Sequence, residues 1–198
     1  MIGWIDAASR QAELDRKAVS AVWAKVAEQL VERIVAGEWV ELLGAGWLGR
    51  VEHPEKTVEH PLTGQTLTLP ARSTVELVPS IGLFCAANPT WSEEQASEHL
   101  APSQPKRASA VLPLLDQACR RAELDTETVE DALLDALVEA LLAAVSEHRE
   151  TVLVLDGLGT LLLDHLAGFI AHGEAGPVVH RGRNELRLEA GLALRAGL

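Results

Sequence analysis

The stretch Gly37–Pro79 constrains the fold more than any other part of the chain. Gly37 ends an amphipathic run, Trp39-Val40-Glu41-Leu42-Leu43 has the length and composition of a short strand, and Gly44-Ala45-Gly46 is a turn. Two extended segments follow, Trp47–Glu59 and Gln65–Leu77. His60-Pro61-Leu62-Thr63-Gly64 joins them, a polar Pro/Gly tip of the kind that turns a hairpin. The pattern predicts a small sheet with a long projecting arm.

The order of these signals resembles the HU/integration host factor family of bacterial histone-like DNA-binding proteins. The resemblance covers residues 1–84, through Ile5-Asp6-Ala7, Gly37-Glu38, Leu42-Leu43-Gly44-x-Gly46, Pro61-x-Thr63-Gly64, Pro70-Ala71 and Pro79. It implies two subunits forming a helical body with a β-saddle. Paired arms enter the DNA minor groove, and a proline at each tip wedges between base steps. Pro61 takes the wedge position, and Arg50, His53, Lys56, His60, Thr63, Gly64 and Arg72 are the arm residues implied at DNA. The sequence also departs from the family. The usual Arg-Asn-Pro tip reads Glu59-His60-Pro61, and a usual arginine of the rising arm is His53. Between Arg50 and Glu76, three cations (Arg50, Lys56, Arg72) face four carboxylates (Glu52, Glu55, Glu59, Glu76). Histidine gains charge on mild acidification, so His53 and His60 predict stronger DNA binding in acid.

The chain has 198 residues and a formal charge of −12. That balance by itself argues against a sequence-independent grip on phosphates, whose strength comes from Lys and Arg releasing counterions. The acidity is uneven, however. Residues 1–84 hold 8 Lys+Arg against 11 Asp+Glu, residues 85–107 hold 2 against 3, and residues 108–198 hold 7 against 15. Two HU-like domains are expected, at 1–84 and 108–198, joined by a linker at 85–107. As a coil that linker would span about 26 Å. A short helix within it is announced by Ser92-x-x-Gln95. Cys85 and Cys119 have no metal-ligand spacing and read as reduced thiols.

The second half repeats the order of the first. Arg120-Arg121-Ala122-Glu123-Leu124-Asp125 echoes Arg10-Gln11-Ala12-Glu13-Leu14-Asp15, and Gly157-Leu158-Gly159 echoes Gly44-Ala45-Gly46. Its arm is expected to be the shorter one, with a strand over 161–170, a turn over 171–176 and a returning strand over 178–188. No proline stands at the tip. Arg181, Arg183 and Arg187 cluster beside His172 and His180, either as a phosphate-contacting strip or as charges guarding an edge strand.

The fold class is therefore α+β. Two HU-like units are expected, each a helical hairpin under a small antiparallel sheet with a β-arm. Fusion favours an intrachain pseudo-dimer over a homodimer of the first unit. No metal, nucleophile-elbow, phosphate-loop or dinucleotide motif is present, so neither an enzyme nor a cofactor is expected. No apolar run reaches membrane-spanning length, so a cytoplasmic protein is expected, and the resemblance implies a place at the nucleoid. Its expected function is architectural. It would bind and bend duplex or distorted DNA largely without sequence specificity. The alternative is an interaction module whose acidic surface recruits a basic protein partner, such as a basic HU-like subunit.

Overall fold

Two helical hairpins supply most of the buried apolar surface. The computed structural model describes residues 3–42, 44–59, 64–147, 151–173 and 176–197, with side chains for all of these but 151–152, 169–173 and 176–180. The first hairpin is α1 (Trp4–Gln11) and α2 (Arg16–Val35). The chain reverses between them through Glu13 at φ 55°, and the Asp15 carboxylate accepts the Lys17 amide to cap α2. The second hairpin, α5 (Leu112–Arg121) and α6 (Thr126–Ser146), repeats the device, with Glu123 at φ 55° and Asp125 capping Thr128.

Each hairpin packs on the long helix of the other. α1 lies against α6, and α2 lies against α5. The same exchange links the last helix of each half, since α3 (Ile81–Ala87) packs on α6 and α7 (Leu192–Gly197) packs on α2. Trp4 meets Trp23 edge-on, with ring centroids 4.7 Å apart. Their indole N–H groups donate across to Val154 O at 3.3 Å and Asp156 O at 3.0 Å. Gly44 (φ +77°) and Gly157 (φ +86°) make the matching close approaches. A Cβ at Gly44 would stand 2.9 Å from Val138 of α6, and one at Gly157 would stand 3.0 Å from Ala27 of α2. Leu30, Ile34, Leu133 and Leu141 are fully buried in the one core that results. Each contributes about 1.5–3 kcal/mol of transfer free energy.

Above the helices lie two sheets. The first has strand order β5-β2-β1-β6, from β1 (Val40–Leu42), β2 (Gly46–His53), β5 (Arg72–Pro79) and β6 (Ser109–Ala110). The second is β11-β8-β7, from β7 (Thr151–Leu155), β8 (Gly159–Leu166) and β11 (Arg183–Ala190). β5 lies beside β11, so the two sheets meet edge to edge.

Each sheet carries an arm. In the first, β3 (Lys56–Glu59) pairs with β4 (Thr66–Leu69); in the second, β9 (Phe169–Gly173) pairs with β10 (Gly176–His180). The long segments expected on either side of each tip are broken at the arm's base. In the first arm the break holds Pro54 and Pro70, which have no N–H to give the ladder. In the second it holds Gly168 and Gly182, where a Cβ on Gly182 would come within 3.0 Å of the Gly168 nitrogen. The arms are close in length. Residues 54–71 separate β2 from β5, and residues 167–182 separate β8 from β11.

The connecting segment is folded, not a coil. Ser92 and Gln95 form the anticipated capping box at the start of α4 (Glu93–Leu100), and a 3₁₀ turn follows over Ala101–Ser103. Ala96 and Leu100 pack on Phe84 of α3 in a small second core, with Trp91 edge-on to Phe84. The segment then pairs as β6, parallel to β1, with the Ser109 amide donating to Trp39 O at 2.8 Å and the Val111 amide to Glu41 O at 3.1 Å. Both cysteines are free thiols, and burial raises the pKa of each.

Candidate nucleic-acid interface

Strand register decides which side chains can reach a ligand. In the first sheet the pairs Leu48/Leu77 and Arg50/Val75 face the helices. Trp47/Val78, Gly49/Glu76, Val51/Thr74 and His53/Arg72 alternate with them on the outer face. In the second sheet Leu161/Leu188 and Leu163/Leu186 face inward, leaving Leu162/Arg187, Asp164/Glu185 and Leu166/Arg183 outside.

Arg50 is therefore turned away from the outer face. Its guanidinium donates to Val35 O at the end of α2 (3.3 Å) and to Ser73 Oγ (3.0 Å). Its buried Nε lies 2.5 Å from Glu52 Oε1, a contact of charge without hydrogen-bond alignment. The Ser73 hydroxyl, ahead of Arg50, holds the Glu52 carboxyl below its usual range. His53 is outside, with Nε2 2.7 Å from Thr74 Oγ1 and 3.4 Å from Glu76. Arg72, its partner across the ladder, is exposed and makes no ion pair among the described residues; Lys56 on β3 is the same.

The arm of the first sheet is two-faced. Pairing sets Lys56, Val58, Leu67 and Leu69 on one side and Thr57, Glu59, Thr66 and Thr68 on the other. Leu67 and Leu69 are 52% and 44% exposed, so this side of the arm carries an apolar ridge. Gly64 (φ +67°) borders the tip. His60, Pro61 and Thr63 lie outside the described residues, as do the side chains of His172 and His180.

The three arginines of the second half are together but occupied. Arg187 Nε lies 2.6 Å from Asp164, whose carboxylate raises the arginine's pKa further. Arg183 donates from Nε to Glu185 at 2.7 Å, and Arg181 donates to Gln95 of α4 at 3.3 Å. Between β5, β11 and the connecting segment is a cavity of about 380 Å³. His99, Leu100 and Ser103 line it together with Glu76, Leu77, Asp164, Leu186 and Arg187.

Sequence reasoning overlooked one feature. Pairing of β6 with β1 brings Lys106 and Arg107, both exposed, to the far edge of the first sheet. Neither makes an ion pair among the described residues. The signal was the Pro105-Lys106-Arg107 tripeptide, which reads as ordinary linker until the strand pairing is known.

Residues 4–88 match the family model of bacterial DNA-binding proteins. That family is HU, whose members are architectural and non-enzymatic. The matched segment runs from α1 to just past α3 and so contains one hairpin, strands β1, β2 and β5 of the first sheet and the arm from Lys56 to Leu69. No curated protein matches the chain. Among the described residues no helix is long and apolar enough to cross a membrane, and no group of His, Cys, Asp and Glu is placed to hold a metal ion.

Proposed function

We propose that the chain is a single-molecule architectural DNA-binding protein. Two HU-like units, 1–84 and 108–198, pair as an intrachain pseudo-dimer and present two β-arms to the minor groove of duplex or distorted DNA. The observation that carries this reading is the exchanged packing of α1 on α6 and α2 on α5, which sets an arm-bearing sheet inside the HU match beside a second one. That exchange also fills, from within the chain, the surface a separate HU-like subunit or a homodimer partner would use.

In this reading Pro61 opens one base step while Lys56 and Arg72 meet phosphates, with Gly64 and Thr63 shaping the tip and His53 and His60 beside the backbone. Arg181, Arg183 and Arg187 form the strip on the second sheet, weakened by their carboxylate and amide partners. Arg50 serves the interior, tying β2 to α2. Specificity follows from DNA shape and deformability, because the arms carry few groups that read base edges. The protein acts at the nucleoid.

The test is a titration of labelled duplex, nicked duplex and four-way junction at low and moderate salt, wild type against Pro61→Ala. Expected are salt-sensitive binding, preference for the distorted forms and weaker binding by the variant, since each engaged cation adds about −0.9 to the slope of log K against log salt. Absence of binding at low salt would sink the reading. One observation would then favour an acidic module that captures a basic protein, namely the engagement of Arg183 and Arg187 by Glu185 and Asp164.

A further inference from the structure

β5 and β6 are the two edges of one four-stranded sheet, so the chain between them has to pass from one side of that sheet to the other. The inner face is filled by α2, and at the Gly44 end the turn is closed by the Ser80 hydroxyl and by Val138 of α6. This strap passes at the seam of the two sheets, where His99, Leu100 and Ser103 line one cavity with Glu76 and Leu77 of the first sheet and Leu186 and Arg187 of the second. Val78 points outward yet is only 5% exposed. A ligand that reaches this seam meets the exposed residues 101–103 of the strap as well as the strands.

The strap is fastened at both ends. At the start, Asn88 and Asn184 exchange hydrogen bonds at 3.0 and 2.6 Å, Arg181 holds Gln95, and Leu100 is buried on Phe84. At the end, β6 is laced to β1. A segment tied in this way is built to stay in place, as part of the surface. It also delivers Lys106 and Arg107, which make no ion pair among the described residues, on a protein whose Arg183 and Arg187 are engaged by carboxylates and whose first arm is acidic by one charge over Arg50–Glu76.

We infer that the strap is a DNA-contacting element in its own right, with Lys106 and Arg107 as phosphate contacts that make up for cations missing from the arms. This rests on the DNA-binding reading above and extends it to a segment outside the HU match. The test compares wild type, Lys106→Ala/Arg107→Ala, Pro61→Ala and a chain whose residues 92–104 are replaced by Gly/Ser of equal length, on a duplex of about 30 base pairs. Loss of two contacts makes the salt slope shallower by about 2 and the affinity at least about ten-fold lower at 50 mM salt. Both side chains are exposed, so the thermal midpoint should not move. An unchanged slope in the double variant, with Pro61→Ala weakened, would overturn this inference and leave the function standing. Tighter binding by the Gly/Ser chain would also overturn it, since the strap would then be a cover. No binding by any chain removes both readings.

Discussion

Trp23 of α2 and Leu133 of α6 hold matching places, eight residues after Asp15 and Asp125, yet they do different work. Trp23 is buried against Trp4 and donates across the molecule to Asp156 O, whereas Leu133 packs without a polar handle. The scaffold around them is shared: the same reversal at Glu13 and Glu123, the same aspartate cap and the same exchange of partners. Outside, the halves part company. The first sheet shows Trp47, His53, Arg72 and Glu76, while the second shows Arg187 locked to Asp164 and Arg183 to Glu185. The comparison teaches that exchanged packing fixes what the helices must be, because each apolar position answers to the other half, while an outer face answers only to what lands on it.

The strongest way to break this comparison is to ask whether the halves unfold together. Trp23→Ala removes a buried indole and a hydrogen bond into the second half, a loss of about 3–5 kcal/mol. Leu133→Ala should cost less, toward the low end of about 2–5 kcal/mol, because no cross-half hydrogen bond goes with it. Urea unfolding followed by fluorescence and by circular dichroism should give one coincident transition for both variants. Two separated transitions would mean that each half stands alone and that the exchange of helices is incidental. A smaller effect sharpens the same point at the caps. Asp15→Ala should cost about 1 kcal/mol. Asp125→Ala should cost more, since its carboxylate accepts both the amide and the hydroxyl of Thr128, at 2.9 and 2.5 Å, and these hydrogen bonds hold its pKa below the usual range.

Where local chemistry decides, the sequence was legible. The Ser92/Gln95 box is set by side chains three residues apart and stands where it was expected, and the Asp15 cap of α2 is local chemistry of the same kind. The breaks in the arms were missed because two prolines in a β-rich run remove only ladder hydrogen bonds, which matter once the partner strand is placed. Pairing of β6 with β1 could not be read at all. Ser109-Ala110 has no strand signature, and its partner lies some seventy residues away. The site followed the same rule. Arg50 was assigned to DNA by its place in the arm pattern, but its inward direction depends on register, and one residue of slip would have put it outside. Its contact with Val35 O is a tertiary fact.

The smallest expected effect concerns the strap, where the comparison of halves meets pH. His99 completes a triangle of rings with Phe84 and Trp91, its centroid 5.4 and 5.3 Å from theirs. Burial, then Arg183, lowers its pKa, and Glu185 opposes them in part; Asp164 and Arg187 line the same cavity, with Cys85 on the neighbouring helix. The neutral ring is therefore favoured in the folded strap. Released, the ring would take up a proton near its ordinary value of about 6.5. The unfolded form thus binds more protons, so the stability from His99 is complete above about pH 6.5 and is lost as pH falls through the lowered folded value. Amide exchange in α4, corrected for intrinsic rates, should quicken between pH 7 and pH 5 relative to α2, and His99→Gln should abolish the difference. Equal protection of α4 at both pH values would show that the strap's hold does not depend on this ring. The fastening would then fall to Asn88, Asn184 and Leu100, which carry no titrating charge.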